Sequence, residues 1–349
     1  MALKLNKKLI DLESYKVDTE VYKIRLDANE SFINPVDKLK DELADAFKAL
    51  DFNRYPDNSY LELRKAIGAY CNVSPKLVVV GNGSDELLSI IIGNFLKADD
   101  TMLLAEPDFA MYKIFLSAYE KKGYSVQRAK GGAPDISEMI KLAHEKNVSA
   151  ILLSNPSAFY STVAAKENLL RLTDEVNCLV IVDEAYMDFS DQSLLGEVAK
   201  RDNLMVLKTC SKAFGCAGIR LGYAVASEKL IGIMDAIRPP YNLNILTEAA
   251  GKVIFSRPQH ISDSIQKIIE NRDVLYGRLK ALEKSPKIDT VYPTATNFIC
   301  IDTAHADEIY ERLKQKSISV RNLKTMLRIT VGTQVENDSF VEALSDIIL

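Results

Sequence analysis

Six short apolar runs, spread over the first two thirds of the chain, are the feature that most constrains its fold. They read KLVVV, TMLLA, AILLS, CLVIVD, LMVLK and GYAVA. Strands that are apolar on both faces are typical of a parallel sheet covered by helices on each side. The segments between them include DELLSIIIGNFLK, DISEMIKLAHEK and KENLLRLTDEV, which have helical periodicity. The alternation predicts an α/β fold with a mostly parallel sheet.

The pattern changes after about Arg238. The stretch PQHISDSIQKIIENRDVLYGRLKALEKS predicts one long amphipathic helix, and it is followed by VYPTATNFICID, HADEIYERLKQK, MLRITVG and a closing helix. A chain of 349 residues exceeds the usual size of a single core. We therefore predict a large domain of residues 48–245, a small α+β domain of residues 246–349 with a linking helix, and an N-terminal arm of residues 1–47 that contributes to the small domain.

Composition argues against several kinds of partner. The net charge of −4, with Lys and Arg scattered among acids, disfavours nucleic acid. Five cysteines without CxxC spacing disfavour a disulfide framework or a metal site and favour a cytoplasmic location. The longest apolar run, LLSIIIGNFL, contains Ser, Gly and Asn, so we predict neither a membrane span nor a signal peptide. The three histidines lie in or beside helical patterns, which disfavours a histidine-based hydrolase.

Polar residues follow two of the predicted strands. Gly83, Ser84 and Asp85 come after KLVVV at the start of a helix, where free backbone N–H groups attract a phosphate. A turn of this kind also begins many helices that bind nothing. Asp183 ends the run CLVIVD, and Tyr186 follows it. A carboxylate buried at that position needs a cationic partner, although an acid that caps a helix or forms a surface ion pair is the alternative.

The stretch TCSKAFGCAGIRLGY places Lys212 and Arg220 eight residues apart among small residues, just after the run LMVLK. A lysine in a surface loop would be the plain interpretation of Lys212 alone. Together with Asp183 and the turn at Ser84, however, the pair matches what pyridoxal phosphate requires. The lysine forms a Schiff base, the acid keeps the ring nitrogen protonated, and hydroxyls with an arginine hold the phosphate.

The stretch Ser211–Tyr223 resembles the S-K-x-F-G-x-A-G-x-R-x-G-Y motif of the class II pyridoxal-phosphate aminotransferases of fold type I. Further segments are similar to the histidinol-phosphate aminotransferase branch: LDANES, NRYPDNSYLELRKAI, RPPYNLN and LRITVG. The resemblance covers essentially the whole chain. It implies a seven-stranded, mostly parallel sheet and a homodimer with a shared active site. The implied reaction is the transfer of an amino group from a small-molecule donor to a 2-oxo acid, here histidinol phosphate and 2-oxoglutarate in histidine biosynthesis.

The resemblance also implies roles for individual residues. Lys212 would form the Schiff base and move the proton, Asp183 would pair with the ring nitrogen, and Tyr186 would bond the phenolic oxygen. Phe109 would stack on the ring, and Tyr55 would reach the phosphate from the partner subunit. The other phosphate contacts would come from Gly83, Ser84, Asp85, Thr209, Ser211 and Arg220.

Substrate binding is implied for Asn29, Arg328 and Arg321. Arg328 lies where the family grips the anionic end of the substrate, and a planar guanidinium suits a carboxylate or a phosphate. Arg321 could add a second positive charge, and simple surface solvation is the equal alternative for it.

The chain departs from the family at one segment, where N-P-N-N-P-T-G is replaced by NPSAFYS. Ala158 stands where the family has an asparagine that donates to the cofactor's phenolic oxygen, so that donor is lost unless Asn155, Ser157 or Tyr160 takes its place. This departure keeps alternatives open: an impaired cofactor-binding homologue, an aminotransferase for another (aromatic) amino acid, or a related lyase such as a threonine-phosphate decarboxylase.

Overall fold

A computed structural model describes residues 20–348 of the chain, in which two sheets form. The larger sheet has seven strands in the order β2-β8-β7-β6-β5-β3-β4. All neighbours from β7 to β4 are parallel, whereas β8 runs antiparallel to both β7 and β2. The strands are β2 Val78–Asn82, β3 Thr101–Glu106, β4 Lys122–Gln127, β5 Ala150–Ser154, β6 Leu179–Asp183, β7 Leu204–Thr209 and β8 Leu221–Ala226.

Both faces of the larger sheet are buried, which is why its strands are apolar throughout. Val78 and Val80 pack into the core on one face, while Val79 between them packs into the core on the other. The first face is covered by the helices Val36–Lys48, Leu61–Cys71, Ile136–Lys146, Lys166–Glu175 and Ile245–Phe255. The second face is covered by the helices Ser84–Asn94, Met111–Ala118 and Glu228–Ile237.

The smaller sheet has five strands in the order β1-β11-β12-β10-β9 and joins the start of the described chain to its end. Its strands are β1 Ile24–Leu26, β9 Thr290–Val291, β10 Phe298–Asp302, β11 Ile318–Asn322 and β12 Met326–Thr330. β1 pairs parallel with β11, and the remaining pairs are antiparallel. The helices Pro258–Ala281, Ala306–Gln315 and Gln334–Ile348 complete this unit. Its apolar core is separate from the two cores of the larger sheet.

The predicted α/β fold with a mostly parallel sheet is confirmed, and all six apolar runs contribute strands to it. The sequence pattern missed β4, because this edge strand is mostly exposed and only Val126 of it is buried. It also missed β11. The domain limits at residues 48 and 246 stay predictions, and the part of the predicted arm in residues 1–19 lies outside the described residues. No helix within residues 20–348 is long and apolar enough to cross a membrane.

Candidate active site

One cavity lies where the carboxyl ends of the parallel strands meet, the usual location of a site in an open α/β sheet. Asp183 ends β6, Thr209 ends β7 and Ser154 ends β5, so each strand delivers a polar side chain to the same edge. The cavity is lined by Ser84, Asp85, Phe109, Ser154, Ala158, Asp183, Ala185, Tyr186, Thr209, Ser211, Lys212 and Arg220. Nine of the residues predicted from sequence line this cavity. A tenth, Gly83, immediately precedes Ser84 in the chain.

One end of the cavity is suited to an anion. The helix Ser84–Asn94 begins there, so its first backbone N–H groups point into the cavity without partners in the helix itself. The Arg220 guanidinium bonds the Ser211 hydroxyl at 3.3 Å and the Asp85 carboxylate at 3.2 Å. The Asp85 carboxylate therefore orients Arg220. Because a carboxylate cannot donate a hydrogen bond, Asp85 itself could bind an anion only through its backbone N–H. Thr209 completes this end with a 3.1 Å hydrogen bond to Ser211.

Two glycines allow the backbone to close tightly around this end. Gly83 has φ of +80°, and a Cβ built on it would lie 2.6 Å from the Arg220 guanidinium. A Cβ on Gly222, in β8, would lie 2.3 Å from the backbone nitrogen of Ser84. A side chain at Gly222 therefore requires the backbone of the anion-binding turn to move, whereas one at Gly83 would be strained by the positive φ and would displace the Arg220 guanidinium. The resemblance implied phosphate binding for Gly83, whereas the close packing of Gly222 against Ser84 is visible only in the structure.

The other end of the cavity holds the buried acid. Asp183 is 4% exposed and accepts hydrogen bonds from the Tyr112 hydroxyl at 2.8 Å and from the backbone N–H of Ala185 at 3.1 Å. Burial raises the pKa of the Asp183 carboxyl to about 7, and the two hydrogen bonds partly oppose that rise. Both donors are neutral, so a protonated ring nitrogen would supply the positive charge that a buried carboxylate needs.

Lys212 and Tyr186 lie between the two ends. The Lys212 ammonium donates to the backbone oxygen of Ala28 at 3.0 Å and lies 5.9 Å from the centre of the Tyr186 ring. The Tyr186 hydroxyl accepts a 2.9 Å hydrogen bond from the Asn29 side chain. Phe109 lines the cavity and meets Tyr112 edge to face at 5.7 Å. The lysine is thus directed from the large sheet towards the segment that follows β1.

A second cleft continues from the cavity towards the smaller sheet. It shares Phe109, Ala158, Tyr186 and Lys212 with the first cavity and adds Asp27, Ala28, Asn29, Asp108, Ala110, Phe159, Arg321, Leu323 and Arg328. All three residues predicted to bind substrate therefore line this cleft. Arg321 and Arg328 lie opposite each other in the pairing of β11 with β12.

Arg328 is held in place on both sides of its guanidinium. One terminal nitrogen donates to the backbone oxygen of Ala158 at 3.0 Å, and the group lies 5.1 Å over the Phe298 ring. Its Nε is buried without a hydrogen-bond partner among residues 20–348. A preorganised guanidinium with an unused donor is suited to bind an anion that enters the cleft.

None of the three residues considered as substitutes for the lost asparagine donates into the cavity. The Asn155 amide bonds both the oxygen and the nitrogen of the Ala164 backbone, at 3.2 and 2.7 Å. The Ser157 hydroxyl accepts from the backbone of the two residues after Ala158. Tyr160 packs against Tyr292. These groups hold the shape of the loop, and Ala158 leaves the cavity without the family's amide donor at that position.

A buried ion pair that the sequence did not indicate supports this loop. Asp108 and Arg128 form a 2.8 Å salt bridge with almost no exposed side-chain surface. Asp108 also accepts hydrogen bonds from the backbone and the hydroxyl of Ser154, and that hydroxyl in turn accepts from the backbone N–H of Ala158 at 2.8 Å. The pair thereby links the end of β5 to the loop at Ala158.

Tyr55 is the one predicted cofactor contact that lies away from the cavity. Its side chain is 81% exposed and stacks on Tyr241 with ring centres 4.5 Å apart. It lines neither the cavity nor the cleft within this subunit. Its predicted role requires a second copy of the chain.

Comparison with known proteins identifies the family. Residues 21–344 match the family described as aminotransferase class I and II. The chain is 35% identical to the histidinol-phosphate aminotransferase of Clostridium novyi (strain NT), over 97% of this chain and 95% of that protein. The chain belongs to the class I and II aminotransferases. This confirms the predicted resemblance, including its histidinol-phosphate branch, and the prediction of a pyridoxal-phosphate-dependent transaminase.

Solved structures agree on the fold of this aminotransferase. The histidinol-phosphate aminotransferase of Sinorhizobium meliloti, solved with pyridoxal-5'-phosphate, superposes with a TM-score of 0.89 at 20% identity, covering 100% of this chain and 98% of that one. The L-threonine-O-3-phosphate decarboxylase of Porphyromonas gingivalis superposes with a TM-score of 0.79 at 22% identity, over 93% and 98%. Fold type I is therefore confirmed. The fold alone does not separate a transaminase from a decarboxylase.

The residues of the aminotransferase cavity fit the cofactor. The buried Asp183 carboxylate needs a cation, the start of the helix Ser84–Asn94 with Arg220 needs an anion, and Lys212 lines the space between them. The sequence did not predict Tyr112 as a site residue, because an aromatic side chain in a short amphipathic helix is typical of the hydrophobic core. Only its contact with Asp183 marks it as part of the site.

The contact between Gly222 and Ser84 yields a prediction about cofactor affinity. Gly222→Ala must displace the backbone nitrogen of Ser84, and we expect it to weaken pyridoxal phosphate binding by about tenfold or more, since one or two phosphate contacts would be lost. Titration of the cofactor-free protein measures this. Gly218→Ala, in the turn just before β8 and with nothing within 4 Å of the added carbon, is the matched control and should bind normally. Equal cofactor affinities in the two variants would contradict the role of the Gly222–Ser84 contact in phosphate binding.

Proposed function

We propose that this aminotransferase transfers the amino group of histidinol phosphate to 2-oxoglutarate in the cytoplasm, as one step of histidine biosynthesis. The observation that carries the proposal is the placement of Arg328 and Arg321 beside Lys212 in one cleft. The first substrate ends in a phosphate and the second in a carboxylate, so one site must accept both anions. Similarity to proteins named histidinol-phosphate aminotransferase supports the same substrate.

Three residues, Asp183, Lys212 and Arg328, have defined roles in this proposal. Bound pyridoxal phosphate supplies an aldehyde and an electron-accepting ring. Asp183 keeps the ring nitrogen protonated, because its buried carboxylate is stabilised by that cation. Lys212 binds the cofactor and then, once its amine is released, moves a proton between two carbon atoms of the reacting centre. Arg328 fixes the anionic end of the substrate so that its amino carbon faces Lys212.

A single half-reaction tests the reaction class. The holoenzyme is mixed with L-glutamate without a second substrate, and we expect one 2-oxoglutarate released per site with loss of the visible cofactor band. Adding the keto phosphate that corresponds to histidinol phosphate should restore the band. Lys212→Ala should abolish both changes, whereas Lys229→Ala, an exposed lysine on a surface helix, should not. A yield of 2-oxoglutarate far below one per site would indicate a decarboxylase, and no product at all would indicate an impaired homologue.

Arg328 yields a prediction about both substrates. Arg328→Ala removes the guanidinium that would face the anion, and we expect a loss of roughly 2–4 kcal/mol of transition-state stabilisation in each half-reaction. Measured kcat/KM values for glutamate and for histidinol phosphate test this. The control is Arg257→Ala, because the exposed Arg257 guanidinium bonds Glu42 and the adjacent Ser256 backbone and lines neither the cavity nor the cleft. A loss below about tenfold with both substrates would remove Arg328 as the anion clamp.

The proposed homodimer shares its active sites, with Tyr55 reaching the neighbouring phosphate. Tyr55 and the nearby Phe52 are large aromatic side chains that are exposed in the single subunit. Their exposure supports a surface that a second subunit covers. A mixture of Lys212→Ala and Tyr55→Ala subunits tests it, because sharing in trans gives each mixed dimer one intact site. We expect activity to return on mixing two nearly inactive proteins. No recovery, or a monomer at micromolar concentration that holds the cofactor normally, would contradict the shared site.

A further inference from the structure

Asn29 is held rigidly where the smaller sheet meets the cavity. Its backbone N–H donates to the Thr330 hydroxyl at 2.9 Å, and its backbone oxygen accepts from the Asn297 amide at 3.0 Å. The residue is 2% exposed. Asn29 has φ of +53°, a conformation that asparagine tolerates better than most residues. Asn29 therefore cannot swing freely into the cleft to follow a substrate.

The hydrogen bonds around Asn29 define the direction of its amide. The Thr330 hydroxyl has a single hydrogen and already accepts from the Asn29 backbone, so it donates to the Asn29 side-chain oxygen at 3.3 Å. The amide nitrogen then faces Tyr186 and donates to its hydroxyl oxygen at 2.9 Å. Because the Tyr186 oxygen accepts this bond, its own hydrogen is left to donate towards the cavity that the ring lines.

The cavity needs such a donor because of the segment NPSAFYS. Ala158 has no polar side chain, and the side chains of Asn155 and Ser157 bond the loop itself. A phenol that accepts a hydrogen bond from an amide is polarised and donates more strongly in its turn. In the family, a tyrosine and an asparagine both donate to the phenolic oxygen of the cofactor. Here the series of hydrogen bonds from Thr330 through Asn29 to Tyr186 leaves the Tyr186 hydroxyl as the donor.

We propose that Asn29 is a positioning residue that acts through Tyr186, directing and strengthening its hydrogen bond to the phenolic oxygen of the cofactor in place of the asparagine missing at Ala158. The inference rests on the proposed contact between Tyr186 and the cofactor. It does not depend on which amino donor the enzyme uses. It moves Asn29 from substrate binding, as the resemblance implied, to control of the cofactor.

The test measures the pH at which the visible band of the holoenzyme titrates, without any substrate. Asn29→Ala weakens donation to the phenolic oxygen, so that oxygen holds a proton more strongly and the midpoint should rise, by about half a pH unit. The titratable groups that line the cavity and the adjoining cleft are the same in both proteins: Asp27, Asp85, Asp108, Asp183, Tyr186, Lys212, Arg220, Arg321 and Arg328. A midpoint within about 0.2 units of the parent's would overturn the proposal.

A double-mutant cycle separates this role from a purely structural one. In a Tyr186→Phe background the hydroxyl is absent, so Asn29→Ala should cause no further rise. An equal rise in both backgrounds would show that Asn29 acts by another route and would overturn the proposal. The variant Ala158→Asn, which restores an amide donor, should lower the midpoint of the Asn29→Ala protein towards that of the parent.

Thr330 provides a second set of variants if Asn29→Ala does not fold. Thr330→Val removes the hydroxyl that orients the amide and should raise the midpoint, whereas Thr330→Ser keeps that hydroxyl and should titrate like the parent. Equal midpoints for the valine and serine variants would overturn the proposal. A parent protein with no visible band on addition of pyridoxal phosphate would refute the cofactor placement itself, and this outcome is distinct from failure with histidinol phosphate.

Discussion

The burial of the Asp183 carboxylate at the end of β6 is the constraint on which the rest of the site depends. A carboxylate taken out of water costs several kcal/mol unless a positive charge or strong hydrogen bonds compensate it. Burial raises the pKa of the Asp183 carboxyl to about 7, and the two neutral hydrogen bonds from Tyr112 and Ala185 oppose that rise only in part. The fold therefore holds a carboxylate whose charge is fully compensated only when a cation is bound beside it.

The order of the strands converts this constraint into a site. Asp183 on β6, Lys212 after β7 and Arg220 before β8 follow one another across the sheet, and β2 beyond them leads into the helix at Ser84. An acid, a lysine and an anion-binding turn are thereby spread along one edge. Because the strands are buried on both faces, they form a rigid base, and the polar groups can reach the cavity only from the strand ends.

The smaller unit contributes the other wall, and its contacts reach both the altered loop and Tyr186. Arg328 bonds the backbone of Ala158, and Thr330 on the same strand orients Asn29 towards Tyr186. In the roles proposed above, substrate binding by Arg328 and control of the cofactor through Thr330 both come from β12, at positions two residues apart. The compensation that we propose for Ala158 is possible because the two units meet at this part of the cavity.

The sequence by itself determined the alternation of buried strands and helices, the family, and the grouping of Lys212, Asp183 and Arg220 in one site, because these depend on local patterns and on residues at strand ends. Tertiary structure alone decided that Tyr112 bonds Asp183, that Asp108 pairs with Arg128, and that Asn29 bonds Tyr186, 157 positions away. Such contacts join distant segments whose local patterns read as core or loop. Which residues become partners depends on how the helices and strands pack against one another. The spacing of residues along the sequence does not predict that packing.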